Sequence, residues 1–292
     1  TWVSLCTACK DTAHDDRLSL REELYELIDT VPGTVGIAYV SDIDTITVNN
    51  GVKYPMMSVF KFHQALAVAC VLEKRGHYLD STLFIHADEL DRDTWSPMLI
   101  NYSDADFSIS VAELLKYSIT LSDNNASNLL FKHIVTPTET DEFVRHIAKD
   151  CAFQISCSES EMKDIKYLCY SNYSSPLSAA LLMRQIFEES LVGGVYQDSI
   201  KRYLSEVSTG VDRLGAAVAD SEMAIFAHKT GSGYRNEAGE LTAHNDIGYF
   251  LYRDGRNYSL AVFIRDFRGS EQEASTVIAN ISKCVYKYHK NR

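Results

Sequence analysis

The chain has 292 residues, of which 46% are hydrophobic and 23% are charged, so it can bury the core of one large domain or of two closely packed ones. Its formal net charge of −12 argues against a nucleic-acid partner, because phosphate binding requires a basic surface. It contains no apolar run of about 18 residues, so no membrane-spanning helix is predicted.

The first residues are predicted to form a flexible N-terminus, covering positions 1–17. Trp2 to Ala8 is similar to the end of an export signal, and Cys9 would then be a site for lipid attachment. An ordinary frayed terminus is the alternative interpretation, and both stay open. On the first interpretation the protein is exported to the periplasm, with a possible lipid anchor on Cys9.

The next segments predict a helix followed by a β-hairpin. Apolar residues recur at helical spacing over 18–30, and Pro32-Gly33 ends this helix. Two stretches rich in β-branched residues follow, at 34–40 and 45–48, with an Asp-containing turn between them.

The middle of the chain, from about 55 to 200, has a mainly helical pattern. Its helices are predicted at 58–73, 110–118, 123–134, 140–148 and 176–190, with irregular loops at 86–107 and 150–175.

Strand patterns return in the last third, at 224–229, 246–252 and 258–264. A final helix begins at Ser270, whose spacing from Glu273 is typical of a capping box.

This order of elements predicts an α/β (α+β) fold of three layers, α/β/α. An antiparallel sheet built from both ends of the chain would be flanked by the N- and C-terminal helices. Residues 18–50 and 205–292 would form this α/β lobe, and residues 51–204 an all-α lobe with an omega-type loop at about 150–175. A crevice between two such lobes is a common place for a site.

The first chemical motif is Ser58-Val-Phe-Lys61, at the start of a long apolar helix. Three residues apart on a helix, the two side chains share one face. A serine hydroxyl needs a base to become a nucleophile, and a lysine with a lowered pKa can supply one. Alone, the pattern is weak, because any helix yields it by chance.

Two further motifs follow in the chain. Ser122-Asp123-Asn124 fits a helix N-cap, which can also hold a side chain in a cleft. Lys229-Thr230-Gly231-Ser232 ends a strand, where Lys and Thr can bind a carboxylate and Gly lets the backbone approach a substrate; an ordinary strand end is the alternative.

The three motifs together, in this order, are much more specific than any one alone, and are typical of class A β-lactamases and penicillin-binding proteins. The sequence resembles the class A serine β-lactamases, in the branch of the CfxA-type and PER-type enzymes. The resemblance runs from about residue 18 to the end. It includes Thr94-Trp-Ser-Pro97, Ser171 to Pro176, Thr209 to Arg213, and Ala243 to Asp246.

The resemblance implies a role for each motif residue. Ser58 would be acylated, Lys61 would shuttle its proton, and the backbone N–H groups of Ser58 and Ser232 would form the oxyanion hole. Ser122 would protonate the leaving lactam nitrogen and Asn124 would hold the acyl amide. Lys229, Thr230 and Arg213 would bind the substrate carboxylate. Trp95 would form an aromatic wall of the cleft, or else simply pack within its loop.

The resemblance also implies a glutamate that activates the hydrolytic water. The family spacing of this glutamate from a large apolar residue fits Glu159 and Met162, with Glu161 as the second candidate. Lys163 stands where the family commonly has an asparagine that helps to hold the water. Another group must therefore position this water, or turnover differs.

The predicted function is hydrolysis of β-lactams through an acyl-enzyme on Ser58, with Ser232 and Gly233 widening tolerance for cephalosporins. A D,D-peptidase or penicillin-binding protein, and a β-lactam sensor domain, are the alternatives, and neither requires a deacylating glutamate.

No metal or other cofactor is predicted, because the histidines form no ligand cluster, and His228 and His244 are interpreted as structural. A monomer is expected. A disulfide among Cys151, Cys157 and Cys169 is left open.

Overall fold

The computed structural model describes residues 19–102, 104–218 and 222–292. The predictions for residues 1–17, including Cys9, lie outside this part of the chain. The first described helix, α1, runs over 19–28.

A five-stranded antiparallel sheet forms the centre of the fold, in the order β2-β1-β10-β9-β8. Strand β1 from the start of the chain pairs along its whole length with β10 near the end. The strands are β1 (Thr34–Ser41), β2 (Thr45–Val48), β8 (Met223–Ser232), β9 (His244–Tyr252) and β10 (Asn257–Arg265). The predicted assembly of one sheet from both ends of the chain is therefore confirmed.

Helices cover both faces of this sheet, which gives the three-layer α/β/α arrangement predicted. Successive side chains of a strand point to opposite faces, so Ile37 and Tyr39 pack with α1 and the C-terminal helix α9 (Glu271–Lys290). Ala38 and Val40 belong to the other core, where α7 (Pro176–Glu188) contacts β1, β9 and β10. Because both faces are buried, β1 has an almost continuous apolar sequence.

The remaining helices and short strands lie between β2 and β8 in the chain. The helices are α2 (Phe60–Arg75), α3 (Val111–Thr120), α4 (Asn124–His133), α5 (Pro137–Ile147), α6 (Glu159–Asp164) and α8 (Gly194–Ser205). The short strands are β3 (Tyr54–Pro55), β4 (Thr82–Ile85), β5 (Phe107–Ser110), β6 (Phe153–Gln154) and β7 (Tyr173–Ser174). Pairing of β6 with β7 closes the neck of the omega-type loop.

Two of these helices were absent from the sequence prediction. Helix α8 begins after Gly193 with Gly194 and Val195, and it has no side-chain cap, so its start carries none of the usual signals. Helix α6 is only six residues long, although Ser158 and Glu161 form a capping box that could have been recognised.

The described cysteines Cys70, Cys151, Cys157, Cys169 and Cys284 are all free thiols. The disulfide left open for Cys151, Cys157 and Cys169 is therefore not formed. None of the described helices combines the length and apolar character needed to cross a bilayer.

The turn that carries Ser58 is pressed against the edge of the sheet. Met57 has a φ of 45°, in the left-handed region that non-glycine residues rarely adopt. The buried Asn245 of β9 donates to the carbonyls of Pro55 and Met56, at 2.8 and 3.2 Å. A Cβ at Gly231 would lie 2.3 Å from the Met56 carbonyl oxygen, so only glycine lets β8 approach this turn.

We expect Asn245→Ala to lower the free energy of unfolding by about 1–3 kcal/mol, because the buried carbonyls of Pro55 and Met56 would lose their donor. Urea denaturation measures this difference. Asn280→Ala is the matched control, on the exposed side of α9, and should change stability by about 0.5 kcal/mol or less. Equal stability of the two variants would show that the turn does not depend on Asn245.

Candidate active site

A cleft of about 670 Å³ lies between the exposed edge of β8, the turn before α2, the start of α4 and the omega-type loop. The residues that the sequence analysis singled out line it or lie directly beneath it. The lining includes Ser58, Trp95, Ser122, Asn124, Glu159, Arg213, Thr230 and Ser232. Lys61 and Lys229 are fully buried behind this lining.

One carboxylate oxygen connects the first motif to the omega-type loop. The Ser58 hydroxyl donates to Oε1 of Glu159 at 3.0 Å, and Nζ of Lys61 lies 2.9 Å from the same oxygen. The sequence analysis expected the serine to face the lysine. In the structure the Glu159 carboxylate contacts both Ser58 and Lys61, and it accepts the hydrogen bond of the Ser58 hydroxyl.

The Lys61 ammonium is satisfied despite its burial. Besides Glu159 it donates to the backbone carbonyl of Ser122 at 2.7 Å and to Oδ1 of Asn124 at 2.6 Å. Burial lowers the pKa of Lys61, while the charges of Glu159 and Asp123 act in the opposite direction. Lys61 thus connects the first motif to the second.

Ser122 lies between the two buried lysines, where it can move a proton. Its φ of 57° places it in the left-handed region, and Asp123 then caps α4 by accepting from the Ala126 N–H at 2.9 Å. Nζ of Lys229 donates to the Ser122 hydroxyl at 2.9 Å. The helix cap and the functional role considered for this motif are therefore compatible.

The Lys229 ammonium, like that of Lys61, is fully buried. Burial holds the pKa of Lys229 well below its ordinary value, and the positive charge of Lys61 lowers it further. It also donates to the carbonyl of Thr230 at 3.0 Å.

Hydroxyls and a guanidinium gather at one end of the cleft. Arg213 donates from Nη2 to the Ser232 hydroxyl at 2.7 Å and from Nη1 to the Asn245 carbonyl at 2.7 Å. The hydroxyls of Thr209 and Thr230 lie 2.6 Å apart. Donors of this kind in one place suit an anionic group such as a carboxylate. Sequence reasoning gave no role to Thr209, although it lies in a quoted matching segment.

Gly231, which was predicted to bind substrate, lies against the protein itself. It is buried, and its close neighbours are the Met56 carbonyl and the Val59 side chain. Its contribution is to bring β8 and the Ser58 turn together, as described above.

Helix α6 decides between the two candidate glutamates. Glu159 is the first helical residue and points into the site, where it is buried. Glu161 accepts instead from the backbone N–H and the hydroxyl of Ser158, at 2.8 and 2.9 Å, as the second half of the capping box. Only Glu159 therefore contacts Ser58.

Lys163 lines the cleft and forms an ion pair across its rim. Its Nζ lies 2.6 Å from Oδ2 of Asp91 and 3.5 Å from Oδ2 of Asp93. This pair joins α6 to the loop that carries Trp95. The asparagine that the family commonly has here is thus replaced by a link between two loops.

A buried asparagine holds the omega-type loop in place. Oδ1 of Asn172 accepts from the N–H groups of Ser156 and Cys157, and its Nδ2 donates to the Cys157 carbonyl at 2.7 Å. The carbonyl of Asn172 accepts from the Met56 N–H at 2.8 Å, next to the Ser58 turn. Sequence reasoning assigned no role to this residue, because its partners are backbone groups that no motif reveals.

The loop that precedes the short 3-10 helix Pro97–Ile100 forms another wall of the cleft. Trp95 is 61% exposed, and its indole donates to the Leu121 carbonyl at 2.9 Å. Nδ2 of Asn124 donates to the Thr94 hydroxyl at 2.9 Å. Trp95 therefore lines the cleft, and its indole N–H is fixed to the backbone carbonyl next to Ser122.

His228 and His244 lie outside the lining. Nδ1 of His228 is 3.0 Å from Oδ1 of the buried Asp246, whose other oxygen accepts from the Leu214 N–H next to Arg213. Nε2 of His244 contacts the Ser275 hydroxyl at 3.0 Å. Across the described ranges, no three His, Cys, Asp or Glu side chains group closely enough to share a metal ion.

The geometry provides the parts of nucleophilic catalysis at a serine. A hydroxyl lies at hydrogen-bond distance from a carboxylate, a second hydroxyl lies next to a buried amine, and cationic donors occupy one end of the cleft.

Comparisons with known proteins agree with this chemistry. The model of a family described as the Beta-lactamase enzyme family matches residues 19–289. A β-lactamase of Phocaeicola vulgatus is 45% identical over 282 residues, which is 96% of this chain and 88% of that protein. The extended-spectrum β-lactamase PER-1 of Pseudomonas aeruginosa is 29% identical, over 92% of this chain and 87% of its own.

Solved structures show the same fold. A class A β-lactamase from Bacteroides cellulosilyticus has a TM-score of 0.88 at 30% identity, covering 95% of this chain and 99% of its own. The TLA-1 extended-spectrum β-lactamase has a TM-score of 0.89 at 30% identity, covering 94% of this chain and 99% of its own.

We expect Lys229→Met to raise the free energy of unfolding at pH 7 by about 1 kcal/mol or more, because it removes a cation from a fully buried place. The pKa of Lys229 is lower in the folded than in the unfolded chain. The wild-type lysine therefore destabilises the fold less and less as the pH rises towards 10.5, the ordinary pKa of a lysine. The advantage of the variant should therefore shrink between pH 7 and about pH 9.5.

Urea denaturation at both pH values measures this difference. Lys283→Met is the control, since it removes the same charge from an exposed position on α9. A Lys229→Met protein less stable than wild type at pH 7 would contradict the prediction.

Proposed function

This chain belongs to the β-lactamase enzyme family, as a class A serine enzyme that hydrolyses β-lactams, and from that premise we propose how its residues divide the reaction. The contact between Glu159 and Ser58 carries the proposal. A carboxylate 3.0 Å from the acylated oxygen can activate a water for deacylation. A D,D-peptidase or a sensor domain has no need of such a carboxylate, and neither alternative is favoured by the comparisons.

Acylation begins with attack of the Ser58 oxygen on the lactam carbonyl carbon. Glu159 accepts the hydroxyl proton directly, and the Lys61 ammonium, 2.9 Å away, stabilises the carboxylate. The backbone N–H groups of Ser58 and Ser232 hold the oxyanion. The C–N bond then breaks, and the nitrogen takes its proton from the Ser122 hydroxyl, which regains one from the Lys229 ammonium at 2.9 Å. Before deacylation Glu159 releases the Ser58 proton to solvent and Lys229 takes one up from solvent, so that both groups return to their charged forms.

Substrate orientation follows from the two ends of the cleft. Arg213, Thr230 and Ser232 receive the substrate carboxylate, with Lys229 supplying positive potential from beneath. Asn124 holds the acyl amide, and Trp95 covers the mouth of the cleft. The acyl side chain then leaves between α6 and the residues that follow Ser232.

Deacylation reverses the roles at Ser58. Glu159 takes a proton from water, the hydroxide adds to the ester carbon, and the C–O bond to Ser58 breaks as the serine oxygen regains a proton. Lys163 does not hold this water, because it is paired with Asp91. Lys61 and Asn124, which contact each other at 2.6 Å next to Glu159, are the groups that we propose position it.

Cephalosporins are included in the proposed substrates. The side chain of Ser232 is exposed at the cleft edge, and the following Gly233 adds no side chain there. The similar proteins PER-1 and TLA-1 are named extended-spectrum enzymes.

We expect Glu159→Gln to slow deacylation about 100- to 10,000-fold, because the amide cannot accept the proton of the water. Mass spectrometry of the variant mixed with a cephalosporin should show a lasting adduct on Ser58, whereas the wild type shows a transient one. Glu161→Gln is the control, because glutamine preserves the capping box and the residue does not reach Ser58. Normal turnover by Glu159→Gln would show that another group is the base.

We also propose that the enzyme is a monomer that acts in the periplasm, attached to lipid through Cys9. The attachment rests on the pattern of Trp2 to Cys9. For a product of the complete gene, we expect Cys9→Ser to move the activity from the membrane fraction to the soluble periplasmic fraction. Light scattering of that soluble form should give the mass of one chain. Identical fractionation of both forms would exclude the anchor.

A further inference from the structure

A second cavity adjoins the cleft. It has a volume of about 930 Å³ and shares Lys166 and Tyr234 with the cleft. One wall is the 3-10 helical segment Lys166–Ser171, which contributes Tyr167 and Tyr170. We call this cavity the tyrosine groove; the turn after β8, from Tyr234 onward, forms its other wall.

Lys166 is the cation at the junction of the cleft and the tyrosine groove. Its Nζ lies over the ring of Tyr234, 5.4 Å from the centroid. Among the described residues, no carboxylate lies within ion-pair distance of it. Its side chain is exposed, so it can meet a ligand.

Three neighbouring cations are already engaged, and Lys53, which stands over the ring of Tyr173, lines only the tyrosine groove and not the cleft. Lys163 is paired with Asp91, and Arg265 with Asp266 at 2.8 Å. Arg235 donates to the carbonyls of Gly239 and Gly269. Lys166 is therefore the positive charge best placed to bind an anion that enters from the cleft.

The proposed orientation of the substrate leads its acyl side chain to this point. With the lactam carbonyl at Ser58 and the ring carboxylate at Arg213, the acyl group passes Asn124 and leaves between α6 and Gly233. Lys166 and Tyr234 line this exit. The protein has a net charge of −12 and therefore repels a substrate that carries a second negative charge. A local cation is needed to bind that second charge.

We propose that Lys166 and Tyr234 form a subsite for a carboxylate on the acyl side chain of the β-lactam. The enzyme then favours substrates whose acyl group carries an acid and extends into the tyrosine groove. The aromatic walls hold the apolar part of that side chain, and the Lys166 ammonium binds its carboxylate. This inference rests on the proposed function.

The test uses two cephalosporins identical except on the acyl side chain, where one has a carboxylate and the other its methyl ester. We expect Lys166→Met to lower the acid-to-ester ratio of kcat/KM about three- to tenfold, mainly through KM, because the ion pair is exposed. The ester itself should change less than twofold. Lys166→Arg should preserve the ratio, and added NaCl should lower it in wild type but not in Lys166→Met.

Lys283→Met controls for overall charge, since it removes one positive charge from α9, and it should leave the ratio unchanged. An unchanged ratio in Lys166→Met, or an equal loss for both substrates, would overturn the proposal. Wild-type protein that hydrolyses neither cephalosporin would instead refute their inclusion among the substrates in the proposed function, and the inference with it.

Discussion

Two buried ammonium groups next to a single carboxylate are the constraint on which this structure depends. Lys61 and Lys229 have no exposed surface, and removing a cation from water costs several kcal/mol. The fold offsets this cost with Glu159, the carbonyls of Ser122 and Thr230, and Asn124. Helix α6, the start of α4 and strand β8 supply these partners, and α2 carries Lys61, so the electrostatics of the site determine how these four elements meet.

Backbone strain accompanies this concentration of charge. Met57 and Ser122 both have positive φ values, and each stands at or next to a reactive hydroxyl. Such conformations cost on the order of 1–3 kcal/mol each and persist only where the surroundings determine them. Here the hydrogen bonds from Asn245 hold the backbone just before Met57. Asp123, which caps α4, directly follows Ser122. A rigid sheet and well-capped helices therefore stabilise a region that is itself unfavourable.

Sequence reasoning predicted most of the fold, because strong signals coincide there. Strands rich in β-branched residues, the capping box of Ser270 and the long apolar helix after Ser58 are recognisable from the local sequence alone. It was less successful where partners are distant or are backbone groups. The ion pair of Lys163 with Asp91 joins positions 72 residues apart, and Asn172 binds mainly main-chain atoms in the omega-type loop. The choice between Glu159 and Glu161 also needed the geometry of one helix turn.

The pairing of β1 with β10 has a consequence for how the enzyme is made. The partners of Thr34 and Val35 are Arg265 and Ile264, so the central pair of strands can form only when nearly the whole chain has left the ribosome. Contacts of such long sequence separation slow folding. Until the last strand arrives, β8 has no completed sheet to hold it against the Ser58 turn. A nascent chain therefore cannot yet assemble the cleft between β8 and the Ser58 turn, whose geometry depends on strands from both ends of the sequence.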